Sequence, residues 1–322
     1  MKVRSGAALA AVLAVGILVS GLLSPYNQYL GVTILTYAVV AQAWNVISGY
    51  SGQLSLGVAA FLGVGGYATG LLMVHQGLGW IEGAVCGTVI SGLLAVALGI
   101  PLLRLRGPYF AVGTLAATIA LAAGGGLWTW AGAGSGFTLP PGQLPSSVGL
   151  LRAAVVAFVL AMAAVVFLRD SAFGLRVVAV RDSEQAAAGV GISTFRHRMG
   201  AFVLSGALTG LAGSLVAMQS ITVDPGGMFS VNWTVNATLM VVVGGVATVG
   251  GPLIGVILIY YVLTQRLQSL QALSTVIEGA LLVLIVRFAP GGLWPLLVRV
   301  SGTSWNLLRR IKARRTGTVA AQ

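Results

Sequence analysis

The chain has 322 residues, 57% of them hydrophobic and 7% charged, with a mean hydropathy of +0.97. Soluble domains carry about 25% charged residues, so a surface this poor in charge excludes a water-soluble globular protein and makes lipid the solvent. The net charge of +12 would raise nucleic acid as a partner in a soluble protein, but the positives sit at the ends of apolar runs and in the C-terminal tail without interleaved aromatics, which favours topology and anionic lipid instead.

A spanning helix needs about 20 apolar residues, and the pattern predicts an all-α membrane protein of about ten transmembrane helices. The runs lie near 6–23, 29–48, 54–74, 81–103, 109–130, 150–168, 199–219, 234–249, 252–268 and 272–288. Lys2 and Arg4 precede the first run, which is longer than a signal-peptide core and has no clear small-x-small cleavage site after it. It reads as an uncleaved span. Residues 1–28 form this span and an outer turn, 29–293 the core, and 294–322 a basic cytoplasmic tail.

Trp44 to Gly57 joins the second and third spans, with Gly49 and Gly52 allowing a tight turn. Asn45, Gln53 and Ser55 put hydrogen-bonding groups near membrane depth, where each needs a partner. They either cap helix ends and satisfy freed backbone, or line a path. Glu82 lies at the outer end of the fourth span, and Cys86, the single cysteine, inside it. One cysteine rules out a disulfide framework or a cysteine-based metal site and reads as a small buried hydrophobe.

Two connections are long. Residues 131–149 are rich in Gly, Pro and Ser, which disfavours a long helix. Residues 169–198 hold a polar island: Asp170, Asp182 and Glu184, half of the chain's 6 acidic residues, among Arg169, Arg176, Arg181, Arg196 and Arg198. Asp182 or Ser183 can N-cap a short helix, with Gln185 in capping-box spacing from Asp182. Gly189 or Gly191 would end it, and Ser193 can start the next span. An ordinary solvated loop is the competing reading. Farther on, Asn232 and Asn236 lie near the outer start of the eighth span, for capping or external contact. Gly250-Gly251-Pro252 splits the eighth run from the ninth. Glu278 sits within the tenth, where a mid-membrane carboxylate costs about 2.5–3.5 kcal/mol. A pathway role, a structural hydrogen bond and an interfacial position all fit it.

With the N-terminus cytoplasmic and the spans alternating, all of the 18 basic residues except Arg152 and Arg266 fall on the cytoplasmic side. That bias supports the orientation and an even number of spans, with both termini cytoplasmic. Spans two to five and seven to ten are offset by five, which reverses direction and predicts an inverted repeat. Gly66 and Gly70, Gly83 and Gly87, Gly206 and Gly210, and Gly251 and Gly255 have the small-xxx-small spacing that lets helices approach closely. Glycine is also simply frequent in membrane helices.

Enzymatic chemistry finds no support. His75 and His197 fall on opposite membrane sides, and no H-x-x-x-H or G-x-S-x-G pattern occurs. A phosphate-binding loop needs a lysine after glycine, and neither lysine, Lys2 or Lys312, has that context. No cofactor is expected on this chain; if ATP drives the protein, another chain binds it.

Several stretches resemble the permease subunits of branched-chain amino acid ABC transporters, specifically the M-type permease. They are Trp44 to Gly57, Leu103 to Phe110, Gly174-Leu175-Arg176 through Gly191-Ile192, Ala201 to Gly213, Gly244-Gly245 through Gly251-Pro252, and Arg287 to Leu293. The resemblance implies a type II-importer-like fold in the bacterial inner membrane. It implies two cytoplasmic ATPase subunits that bind the ATP, a second, related permease subunit and an extracytoplasmic substrate-binding protein. It places an ATPase-coupling helix in 181–191, making Arg181, Asp182, Ser183, Glu184, Gln185, Ala186, Gly189 and Gly191 the candidate contacts. Asn45, Gln53, Ser55, Asn236 and Glu278 are the candidate pathway residues.

Three departures bear on the substrate. Val58 stands where the family often carries a polar residue, commonly His; the usual Pro-Arg-Gly reads Pro290-Gly291-Gly292; and Trp130 to Gly136 is a loose version of a Gly-rich stretch. The expected cargo is a branched-chain or related small amino acid moved by alternating access. Urea, amides or sugars are the alternatives within related importers, and an ion-coupled secondary transporter is the alternative outside them.

Overall fold

The computed structural model describes residues 2–260 and 291–295. The chain is a helical bundle: α1 (Lys2–Ser20), α2 (Pro25–Trp44), α3 (Val58–Gln76), α4 (Trp80–Leu102), α5 (Pro108–Leu127), α6 (Ser147–Asp170), α7 (Ala172–Asp182), α8 (Glu184–Gly189), α9 (Thr194–Ser220), α10 (Pro225–Met228), α11 (Asn232–Gly244) and α12 (Gly251–Val256). Among the described residues, 7 helical segments are long and apolar enough to cross a membrane, and Leu9–Ser20 and Gly251–Tyr260 are shorter apolar helices. The predicted tenth span, the end of the ninth, Arg266, Glu278 and nearly all of the basic tail lie outside the described residues, and with them the last part of the second predicted repeat.

Local chemistry sets the boundaries. Ser24 caps α2 by accepting from the Asn27 amide, with Pro25 at the first helical position, where its missing N–H costs nothing. Gly77 ends α3 in the left-handed conformation, φ 66°. Ser146 caps α6 through the Gly149 amide, and Asp224 caps α10 through the Gly227 amide at 2.8 Å.

Two predicted boundaries are corrected. The 169–198 connection is mostly helical: α7 fills its first half, because Ser171 caps it at Gly174 N and Val177 and Val180 give it a buried side. The predicted span 234–249 stops at Gly244, and Gly245, φ 131°, turns the chain out of the helix. At 13 residues, α11 alone rises about 20 Å, short of a roughly 30 Å hydrocarbon core, and it reaches spanning length only together with α10, as the 20-residue segment Pro225–Gly244.

The centre is a close contact of α3, α4 and α9 built from small residues. A Cβ on Gly65 would strike the backbone of Gly210, one on Gly213 the carbonyl of Leu62, and one on Gly87 the Thr69 hydroxyl. With backbones this near, hydroxyls bridge the helices. Thr69 Oγ1 lies 2.7 Å from Ser214 Oγ, 2.8 Å from Gly65 O and 3.1 Å from Gly83 O. Ser91 Oγ reaches Gly206 O at 2.9 Å and Phe61 O at 3.1 Å. Lipid supplies no hydrophobic drive between helices, so close packing and these hydrogen bonds hold them. α1 lies on α6: Gly16 packs on Val155, and Arg152 Nε donates to Ser20 Oγ at 3.2 Å.

The two ends of the bundle differ in charge. At one end a two-stranded sheet, β1 (Phe137–Thr138) against β2 (Thr222–Val223), is antiparallel with Phe137 opposite Val223. It ties the connections 131–149 and 220–233 together, and His75 stacks on Trp130 there at 4.1 Å. Arg152 is the only described arginine at that end; Arg104, Arg106, Arg169, Arg176, Arg181, Arg196 and Arg198 all lie toward the other.

Gly213→Ala should destabilise the purified protein by about 1–3 kcal/mol, the usual cost of overpacking. Gly124→Ala, which meets nothing within 4 Å, should leave the thermal midpoint in detergent unchanged. Equal midpoints for both variants would show that the α3–α9 contact is not tight.

Candidate functional site

At the arginine-rich end, α2 continues into one wide π turn, Asn45–Tyr50, seen in the Ser51 amide donating five residues back to Val46 O at 3.2 Å. At the junction, Gln42 near the end of α2 and Asn45 at the start of the turn are both fully buried and one helical turn apart. They face residues 245–250, which link α11 to α12 without helix and so carry free backbone groups. Asn45 Nδ2 donates to Thr248 O and Asn45 Oδ1 accepts from Ala247 N, each at 2.8 Å. Gln42 Nε2 donates to Val249 O, also at 2.8 Å. One amide side chain uses both its donor and its acceptor on the same loop, and the second adds a donor one residue on.

The rest of the 45–57 connection is satisfied mainly by local groups. Ser55 Oγ accepts from Gly57 N at 3.3 Å and Ser55 N donates to Ser48 Oγ at 3.2 Å. Trp44 Nε1 donates to Ser55 O at 3.0 Å, and Leu56 N to Thr114 Oγ1 at 3.0 Å. Asn45 and Ser55 thus act on backbone, one across the bundle and one at the start of α3. Gln53 is buried, with Oε1 unpaired among the described residues, at the edge of a recess that Arg106, Glu184 and Arg198 also line. Asn236 is half-buried on α11, two residues after Thr234, whose Oγ1 accepts from Ala59 N at 3.2 Å, and Glu278 lies outside the described residues.

The polar island forms α8, capped by Ser183 rather than Asp182: Ser183 Oγ accepts from Ala186 N at 3.3 Å. Gly191, φ 82°, turns the chain after it, and Ile192 N donates to Ala187 O at 3.0 Å. Ala187 is the buried residue of this helix; Ser183, Gln185, Ala186, Gly189 and Gly191 are exposed. Beside them Leu175, Val190 and Phe195 are exposed apolar side chains at a water-facing end, an arrangement that suits contact with another surface. Glu184 pairs with Arg198 at 3.1 Å, joining α8 to the first turn of α9.

Arg181 behaves differently from its neighbours. Asp182 is exposed and holds one edge of its guanidinium at 2.9 Å, while Arg181 Nη1 turns inward and donates to Gly49 O at 3.2 Å. Gln42 and this inward turn of Arg181 escaped the sequence reading. Gln42 carried a signal, a second polar residue one turn from Asn45 on an apolar helix; the Arg181 contact, 132 residues apart in sequence, carried none. Among the described residues no cluster of His, Cys, Asp and Glu could hold a metal ion, and His75 and His197 lie at opposite ends.

Residues 26–286 match the family model described as the branched-chain amino acid transport system permease component. The chain belongs to this permease family. The match includes the 45–57 turn, α7, α8, the 245–250 loop and Glu278. The chain is similar to the high-affinity branched-chain amino acid transport system permease protein LivM of Salmonella typhimurium, 26% identical over 81% of this chain and 68% of that one. Its counterpart in Escherichia coli is 27% identical with the same coverage. The L-arabinose ABC transporter permease protein AraH of Azospirillum brasilense is 33% identical over a shorter part, 38% of each chain. No solved structure gave a match. The permease is thus a multi-pass, all-α membrane protein and a subunit of an ABC importer.

In this permease Asn45→Ala would leave the Ala247 amide and the Thr248 carbonyl unpaired. Each buried orphan costs about 1–3 kcal/mol, so amide hydrogen exchange across 245–250 should speed up by about tenfold or more. Unchanged protection would show that Gln42 and packing hold the loop alone.

Proposed function

We propose that this permease carries branched-chain or related small amino acids into the cell across the bacterial inner membrane, by alternating access powered by partner chains. The observation that carries the reading is the family match running from residue 26 to residue 286, supported by two relatives whose printed names give branched-chain amino acid transport. The positive-inside bias supports placing the arginine-rich end, with α7, α8 and the termini, in the cytoplasm.

In this reading two separate ATPases bind the ATP, consistent with a chain whose lysines, Lys2 and Lys312, lie in no phosphate-binding motif. The exposed side of α8, with Ser183, Gln185, Ala186, Gly189 and Gly191, is the contact they push on. Asp182 and Glu184 flank it with charge, and Arg181 sets its rear. A second, related permease completes the pathway. A substrate-binding protein docks on the opposite end, where β1 and β2 fasten 131–149 to 220–233. The described spans hold few ionisable groups, which fits a division of labour in which the binding protein supplies the affinity and the permease a weakly polar path. Bond-breaking chemistry then belongs to the ATPases and none to this chain. The partial likeness to the arabinose permease favours a sugar as the second reading for the cargo.

The test is uptake into proteoliposomes holding the complete complex with its binding protein, offered leucine, urea and L-arabinose in turn. ATP-dependent leucine uptake is expected, and both Glu184→Arg and deletion of residues 182–189 should lower it by at least about tenfold, the loss of one charge-assisted contact. Uptake of arabinose alone would move the cargo to sugars, and uptake without the ATPases would point to a secondary transporter. Full ATP-driven uptake in both variants would remove α8 as the coupling contact.

A further inference from the structure

We infer that Arg181 is a positioning residue that links the α8 end of the protein to the π turn of α2 and, through Asn45, to the loop between α11 and α12. The inference rests on the importer reading and adds the route by which movement at α8 enters the membrane bundle.

Three short segments distant in sequence converge here. The Arg181 guanidinium donates to Gly49 O at 3.2 Å, and its aliphatic stem lies on Gly52 so closely that a Cβ there would strike Cγ of Arg181. Gly52 is also held at φ 72°, a conformation glycine adopts without strain. Gly49 in turn has no room for a side chain: its Cβ would collide with Asn45 Oδ1 and lie 2.9 Å from Ala247 N. Asn45 Oδ1 is the atom that accepts from Ala247 N. One line of contacts therefore runs from Arg181 to the Gly49 carbonyl, to Asn45, to the 245–250 loop. Residues 291–295 close the far side of that loop, with Gly292 against Gly245 and the Trp294 ring on Gly250.

A second attachment runs beside the polar one. Val177 of α7 packs with Val46 and Tyr50 of the π turn and with Val165, Leu168 and Ala201. α7 is thus fixed to the turn by an apolar contact near its middle and a hydrogen-bonded one near its end, so α7 and the turn move together. A π turn departs from the regular α ladder, and such turns recur where helices do functional work. A planar fork shared between Asp182 and Gly49 suits arginine rather than lysine, whose ammonium is a point charge on a flexible stem. A chain of contacts alone is a spatial argument; coupling has to be measured.

The complete complex with Arg181→Met, which keeps the stem over Gly52 and removes the fork, supplies that measurement, with Arg181→Lys as the conservative comparison. The expected result is a normal amount of co-purified ATPase, continued ATP hydrolysis and an unchanged KM for the loaded binding protein. Substrate moved per ATP should fall by about tenfold, the worth of one charge-assisted hydrogen bond, with the Lys variant in between. In the permease alone, Arg181→Met should also speed amide exchange at 49–52 and 245–250. A wild-type transport ratio, loss of ATPase binding with a normal ratio in the assembled fraction, or unchanged exchange would each overturn the link. Absence of ATP-driven uptake in the wild-type complex would instead count against the importer reading, and the exchange measurement would still judge the link.

Discussion

Backbone amides and carbonyls inside a lipid-solvated bundle must find partners within the protein, since hydrocarbon offers none. The loop 245–250 is one place among the described residues where this permease meets that constraint. α11 stops at Gly244 and α12 begins at Gly251, so the residues between have no helical ladder. Gln42 from the end of α2 and Asn45 from the start of the π turn supply the missing partners. The geometry needs an amide side chain, because one residue must donate to Thr248 O while it accepts from Ala247 N. A carboxylate would offer only acceptors and a hydroxyl too short a reach.

That clamp fixes the surroundings. With Asn45 committed to the loop, Gly49 has to be glycine, because a side chain would occupy the position of the Asn45 oxygen. The turn that follows is then narrow enough for Arg181 to lie over Gly52. The same logic of close approach shapes the α3, α4 and α9 contact, where glycines bring backbones together and Thr69, Ser91 and Ser214 convert the proximity into hydrogen bonds. α4 and α5 leave most of their surface uncovered by this chain, while α3 and α9 are largely enclosed. The bundle is therefore rigid at its centre and held by specific polar contacts at its arginine-rich end.

The polar island forms the exposed surface of that end. α8 is short and exposed, with one buried anchor in Ala187. Its charged residues are not equivalent: Asp182 faces water, Glu184 is paired with Arg198, and Arg181 divides its guanidinium between Asp182 and the Gly49 carbonyl. In the Glu184–Arg198 pair the arginine is largely covered, so the contact fixes the orientation of α8 against α9.

The sequence by itself determined the class. Too little charge for a water-facing surface, apolar runs of spanning length and a one-sided distribution of arginine follow from composition and order alone, because lipid solvation acts on each segment separately. The capped helix at 183–189 was legible for the same reason: a serine side chain and the following amides lie within one turn of chain. The motifs at 44–57, 174–192 and 244–252 carried the family. Only the tertiary structure decided that Asn45 satisfies a loop some 200 residues away, that the run 234–249 breaks at Gly244, and that Arg181 points inward. Those outcomes depend on which backbones come within hydrogen-bonding distance, and in a bundle packed on glycine that distance is set by contacts between segments that share no local pattern.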